Sequence, residues 1–261
     1  MSSASRASTS ADAVPPDANP DARPNAGAAA KSGEYGRREI TIRCNALATK
    51  WGADDIAAAA TSGVAAVVIP KVNSVADVDA VSSALDRAGA SKTLTIWAMI
   101  ETPTAIFDVR GIAAHPRVAA LVMGTNDLAK ELRATQVRGR APLLPHLAAA
   151  LLAAREADKV ILDGVFNDVK DLDAFRDECV QGATMGFDGK TLIHPSQVDV
   201  ANDVWAPSAE DVDYSQRVIA AFEEATAEGR GVITVDGRMI ENLHVENARR
   251  VLAVQRAIDD L

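Results

Sequence analysis

Two carboxylates in this chain fall where carboxylates can do chemistry. Glu101, in MIETP, and Asp127, in MGTND, each follow a short apolar run that reads as a β-strand. Oxygen donors at the ends of consecutive parallel strands face each other across one loop's width. A pair so placed suits a hard cation such as Mg²⁺, which keeps several waters and takes further ligands from substrate oxygens. Capping competes as an explanation: Asp127 could cap the helix after MGTN, and Glu101 could favour the dipole of a helix whose first turn holds Pro103. Arg43, ending EITIR, adds a planar guanidinium that can take a carboxylate through two parallel hydrogen bonds; its alternative is a structural ion pair with one of the same acids. Asn45, Lys71, Asn126, Asp163, Asp188 and Lys190 complete the polar residues expected at strand ends.

The elements that must position these residues alternate regularly. Strands are expected at Glu39 to Arg43, Ala65 to Pro70, Leu94 to Ile100, Ala119 to Met123, Lys159 to Leu162 and Ala183 to Phe187. Helical spacing fills Ala53 to Thr61, Ser74 to Ala88, Pro103 to Ala114, Leu143 to Ala157 and Val169 to Gly182. Mostly buried-looking strands separated by helices predict an α/β fold with a parallel sheet, and we read it as a (β/α)₈ TIM-type barrel with six recognisable strands, incomplete at its N-terminus. An open doubly wound sheet is the alternative, but no glycine-rich phosphate fingerprint follows any strand. Residues 1–35, rich in Ala, Ser, Pro, Asp and Asn, are expected to be a disordered or atypical tail. Residues 36–200 form the barrel, and 201–261 a helical lid or oligomerisation segment with helices at Ser208 to Glu228 and Glu241 to Asp260 around a short GVITVDG strand-turn.

Composition narrows the partners. A formal charge of -9 and a pI near 5.0 disfavour nucleic acid and anionic membrane surfaces, which call for a basic footprint. An anionic small molecule would need a local cation or arginine. Cys44 and Cys179 are far apart, with no metal or disulfide spacing, so a reducing, cytoplasmic compartment is expected. Arg155, Glu156, Asp158 and Lys159 interrupt the longest apolar run, so no membrane span is expected.

Seven segments in order carry a resemblance: GRREITIRCNALATKWG, VVIPKV, MIETP, VAALVMGTNDLA, ILDGVFNDVKD, GFDGKTLIHPSQV and GRMIENLHVENARRVL. From about Tyr35 to Asp260 the chain resembles the HpcH/HpaI aldolase and citrate lyase beta-subunit family of CoA-ester lyases. The resemblance implies that Glu101 and Asp127 are Mg²⁺ ligands, that Arg43 contacts the substrate carboxylate or carbonyl, and that Glu101 also borders the substrate. It implies a Mg²⁺-dependent acyl-CoA lyase of the citryl-CoA or malyl-CoA kind, breaking a carbon–carbon bond to release acetyl-CoA. A malyl-CoA-type thioesterase and a non-catalytic family member are the alternatives.

In related lyases an aspartate after the Met-Ile pair of the C-terminal lid exchanges a proton for a neighbouring subunit; here the matching residue is Glu241. The family's usual first strands, with R-S-x-L-F-V-P-G and L-D-L-E-D-A-V segments, are matched only by ADAV, which would align Asp12 with the acid before AV and suggests a truncated or altered start. His194, before a proline, is expected to be structural. Apolar helical faces in Ser208 to Leu261 suggest a homo-oligomer, with a trimer favoured by the resemblance.

Overall fold

The computed structural model describes residues 6–9, 19–228 and 233–260, and its chain divides into two compact units, one running to Val204 and the other from Trp205. The first unit is built on seven parallel strands: β1 (Arg6–Thr9), β2 (Ile40–Arg43), β3 (Ala66–Ile69), β4 (Thr95–Ile100), β5 (Val118–Met123), β6 (Val160–Asp163) and β7 (Gly189–Lys190). Each pairs with the next in chain order. That order belongs to a barrel wall; a doubly wound sheet reverses direction partway. The helices between them are α1 (Asn19–Lys31), α2 (Gly52–Ala60), α3 (Val75–Arg87), α4 (Pro103–Ala114), α5 (Thr125–Leu132), α6 (Leu144–Glu156) and α7 (Leu172–Met185), with α8 (Val198–Trp205) after β7.

Local chemistry sets the helix ends. Ser74, Thr102 and Asp171 accept the backbone N–H groups of Asp77, Ala105 and Ala174, each offsetting an orphan donor of a first turn. Five of the six expected strands stand within a residue or two of their expected positions. The sixth does not: Ala183 to Met185 is the last turn of α7, closed by Gly186 at φ 107°, and the strand is Gly189–Lys190. A glycine in the left-handed region ends a helix at little steric cost, so this apolar run closes a helix and the strand starts three residues later.

The stretch expected to be a tail, 1–35, carries β1 and α1. Low hydrophobicity misled here, because α1 is held by a buried Ala26 and by Arg23, whose guanidinium meets the buried Asp55 of α2 at 2.9 Å. Asp12 lies outside the described residues.

Strand alternation sorts the residues into two faces. Ala66, Val68, Trp97, Ala120 and Val122 form one apolar cluster, with Met99, Val160 and Leu162 packed against it. Cross-strand partners Arg43↔Val68, Val68↔Trp97 and Trp97↔Ala120 put Arg43 on this same inner face. Residues of the other parity, among them Ile96, Ile100, Leu121 and Ile161, are fully buried and face the helix layer.

The second unit packs α9 (Ala209–Ala227) and α10 (Asn242–Asp259) with a hairpin of β8 (Ile233–Val235) and β9 (Arg238–Ile240). Val218, Ala225, Ile233, Val235, Ile240, Val245 and Ala248 make its core. Asp236 and Gly237, at φ 51° and 75°, supply the turn that a tight right-twisted hairpin requires. Ser208 and Asp211 form a capping box at the start of α9. Among the described residues, no helix is long and apolar enough to cross a membrane.

Candidate metal and substrate site

Glu101 directly follows β4 on the parity of Trp97 and Met99, so it continues the inner face to the C-terminal mouth of the sheet, where it is buried with 3% exposure. It does not cap α4, because Thr102 does so. One carboxylate oxygen, Oε1, accepts the backbone N–H of Lys71 at 2.7 Å. Lys71 follows the end of β3 and holds φ 51°, an uncommon conformation for a non-glycine residue that turns this N–H toward its neighbour strand. The other oxygen lies against Gly124, where an added Cβ would collide with the Glu101 side chain. Gly124 extends the ladder from β5 by donating its N–H to the Ile100 carbonyl at 3.0 Å, which is why the two residues are so close.

Asp127 stands in the first turn of α5, after N-cap Gly124, and its half-buried side chain has no hydrogen bond or ion pair among the described residues. Burial pushes the Glu101 carboxyl above its ordinary value; the Lys71 N–H bond opposes this, the charge of Asp127 adds to it, and the charges of Arg43 and Lys71 pull it down. Glu101, Asp127, Arg43 and Lys71 therefore share one electrostatic neighbourhood. Two carboxylates in it, one buried and neither in an ion pair among the described residues, form a donor set that a divalent cation would relieve. Two protein oxygens leave most of a cation's ligands to water and substrate, as Mg²⁺ favours, and among the described residues no cluster of three or more His, Cys, Asp or Glu competes for a metal.

The other strand-end residues go elsewhere. Asp163 has the parity of Ile161 and faces the helices, where Arg140 at 2.7 Å and Lys190 at 2.9 Å bind its fully buried carboxylate; Lys190 also meets Glu178 at 2.7 Å. Asp188 takes Arg155 at 2.9 Å and the backbone N–H of Ile161. Asn45 is bound to Asp55. His194 accepts the Ser196 N–H in front of a short 3₁₀ turn, Pro195–Gln197. Asn126 exchanges two amide hydrogen bonds with Asn167, at 2.9 and 2.7 Å, and so ties the start of α5 to the loop after β6.

The structure thus brings together Arg43, Glu101 and Asp127 within the first unit. Glu241 belongs to the second unit, exposed at the N-terminus of α10, with its backbone N–H donating to His244 Nδ1 at 3.0 Å. Two further residues, Lys71 and Gly124, shape the site without offering it a side chain. Lys71 acts through its backbone, which leaves no mark on side-chain type. Gly124 had a signal, a glycine placed directly after a strand end in MGTND, beside the strand that ends at Glu101.

Comparison with known proteins gives a consistent picture. The family model described as HpcH/HpaI aldolase/citrate lyase matches residues 10–195. A (3S)-malyl-CoA thioesterase of Cereibacter sphaeroides (strain ATCC 17025 / ATH 2.4.3) is 47% identical over 228 residues, covering 87% of this chain and 78% of that one. Citrate lyase subunit beta of Escherichia coli (strain K12) is 33% identical over 221 residues, 82% of this chain and 73% of that one. Among solved structures, CitE from Mycobacterium tuberculosis in complex with magnesium, acetoacetate and coenzyme A superposes with a TM-score of 0.74 at 25% identity, covering 95% of this chain and 88% of that one.

Proposed function

This chain belongs to the HpcH/HpaI aldolase/citrate lyase family, and from that premise we propose that it cleaves the CoA thioester of a malyl-type hydroxy-acid, with Mg²⁺ held by Glu101 and Asp127. The observation that carries this reading is the convergence of a buried carboxylate with a second carboxylate and an arginine at one end of the sheet. The magnesium and coenzyme A in the CitE complex support it.

Arg43 would take the free carboxylate of the acyl group, since its guanidinium matches that shape and the average field of a chain of charge -9 repels an anion. The Lys71 N–H holds Glu101 in one rotamer, and Gly124 leaves the space its second oxygen occupies. When bound, the cation supplies a positive charge that polarises substrate oxygens.

The relative at 47% identity favours hydrolysis of the thioester. Water adds to the thioester carbonyl carbon, the carbon–sulfur bond breaks, the sulfur leaves as the CoA thiol, and the acyl group as a carboxylic acid. Carbon–carbon cleavage is the second reading, favoured by the likeness to citrate lyase subunit beta. There the bond between the hydroxyl-bearing carbon and the carbon next to the thioester breaks, the hydroxyl proton is lost, and a proton returns to the latter carbon to give acetyl-CoA and glyoxylate. Glu241 is the acid that the family resemblance offers for that proton. The exposed Met239 and Leu243 beside it fit the reading of 201–261 as an oligomerisation segment.

Product analysis decides between these. With malyl-CoA and Mg²⁺, free thiol plus malate supports hydrolysis, and acetyl-CoA plus glyoxylate supports lysis; either should vanish in EDTA. A folded protein giving neither product sinks the proposal. A second expected result is that Gly124→Ala lowers turnover about 100-fold at unchanged helix content, since a displacement of reacting groups by about 1 Å has costs of that order. Steady-state rates and circular dichroism together check it.

A further inference from the structure

The strand end that presents Arg43 is held from a distance. The ladder between β2 and β3 runs one residue beyond Arg43, where the Cys44 N–H donates to the Val68 carbonyl at 3.0 Å. It then stops, and Asn45 turns to Asp55: its backbone N–H and its Nδ2 reach Asp55 Oδ2 at 3.0 and 2.7 Å. Asp55 is 2% exposed, and on its other oxygen, Oδ1, it takes Arg23 Nε at 3.0 Å and Nη2 at 2.9 Å. The loop between is folded tightly, because a Cβ on Gly52 would enter the Ala46 backbone. A buried carboxylate that receives bonds on both oxygens is a rigid bridge.

We propose that Arg23 is a positioning residue for Arg43. Through Asp55 and Asn45 it fixes the backbone leaving β2, and so aims the guanidinium that takes the substrate carboxylate. This rests on the reading of Arg43 as the substrate's carboxylate partner. It gives α1 a part in substrate recognition with no residue of its own at the site. Glu101 and Asp127 hang on β4 and α5 and take nothing from this relay, so the cation should be unaffected.

The test separates substrate from metal. In Arg23→Ala, KM for malyl-CoA should rise about tenfold with kcat within about twofold, the signature of lost binding common to ground and transition states. The Mg²⁺ concentration for half-maximal rate should stay as in the parent protein. Arg23→Lys keeps the charge without the paired nitrogens and should recover part of the loss; if Arg23→Ala does not fold, a rise of about threefold in Arg23→Lys carries the test. A folded Arg23→Ala with unchanged KM overturns the proposal, as does a parallel fall in kcat and in Mg²⁺ response.

The relay also has a readout apart from turnover. In a Cys179→Ser background, Cys44, which is fully buried and whose thiol burial pushes up to about 12, should react with a thiol reagent faster once Arg23 is replaced. If the parent protein does not turn over malyl-CoA, the functional reading falls. The relay is then judged on Cys44, and unchanged labelling overturns it.

Discussion

Glu101→Gln is expected to lower turnover of the malyl-type ester on the order of 10³-fold while leaving the fold intact, since a bound cation contributes several kcal/mol of charge stabilisation and the amide supplies a much weaker ligand. The same change should stabilise the metal-free protein near neutral pH. The sign follows from the direction of the shift: burial raises the Glu101 carboxyl above its unfolded value, so the folded state binds more protons between the two. Stability contributed by this group is then greatest below the unfolded value and falls as pH rises through the folded one. The amide does not titrate. Thermal melts in EDTA should therefore show the variant gaining on the parent as pH rises from 4 through the carboxylate range, and the gap should close when Mg²⁺ is added to the parent. A variant that melts lower than the parent at pH 7 in EDTA would remove the argument that Glu101 is a buried charge awaiting a counter-ion.

The largest expected loss of stability lies elsewhere, at Asp163. Its carboxylate is fully buried between Arg140 and Lys190, and the Lys190 side chain is itself 0% exposed. Asp163→Asn keeps the shape and removes the charge, leaving two buried cations with Glu178 as their nearby anion. Breaking a buried pair in this way costs about 3–5 kcal/mol, because the stranded charges cannot return to water. Among the described residues Arg140 Nη2 is already buried without a hydrogen bond, so the cluster has little slack. For a chain of this size we expect the melting temperature to drop by roughly 10 °C. At temperatures where the variant stays folded, kcat should lie within a few-fold of the parent, because Asp163 faces the helices and not the site. Urea titration followed by rates on the folded fraction would measure both.

These predictions draw unequally on sequence and structure. β4 and α4 were legible because an apolar run and a Pro-led helix leave local marks, and with them came the placement of Glu101. Asp127 followed from the same logic applied to β5. The distinction between Glu101 and Asp163 was not legible, since both are acids at strand ends; what separates them is the parity of each within its strand, which depends on where the strand starts and which face is covered. Gly186 hid the true β7 because a left-handed helix stop and a turn into a strand use the same residue. The part of α1 was hidden most completely. Nothing in NPDARPNAGAAAK suggests a packed helix until Arg23 is seen against Asp55, a contact between residues 32 apart.

The two faces of the sheet give this protein two separately adjustable properties. Because one face of the sheet serves the substrate mouth, at the ends of β2, β4 and β5, and the other carries the ionic cluster under the helices, at β6 and β7, drift at Asp163, Lys190, Glu178 or Arg140 would change heat tolerance without touching substrate range. Exchange around Arg43 on the inner face would change substrate range with little toll on heat tolerance. A mutational library confined to one parity of β4, β5 and β6 should therefore move along a single axis of fitness, and the two lineages so obtained could be recombined strand by strand.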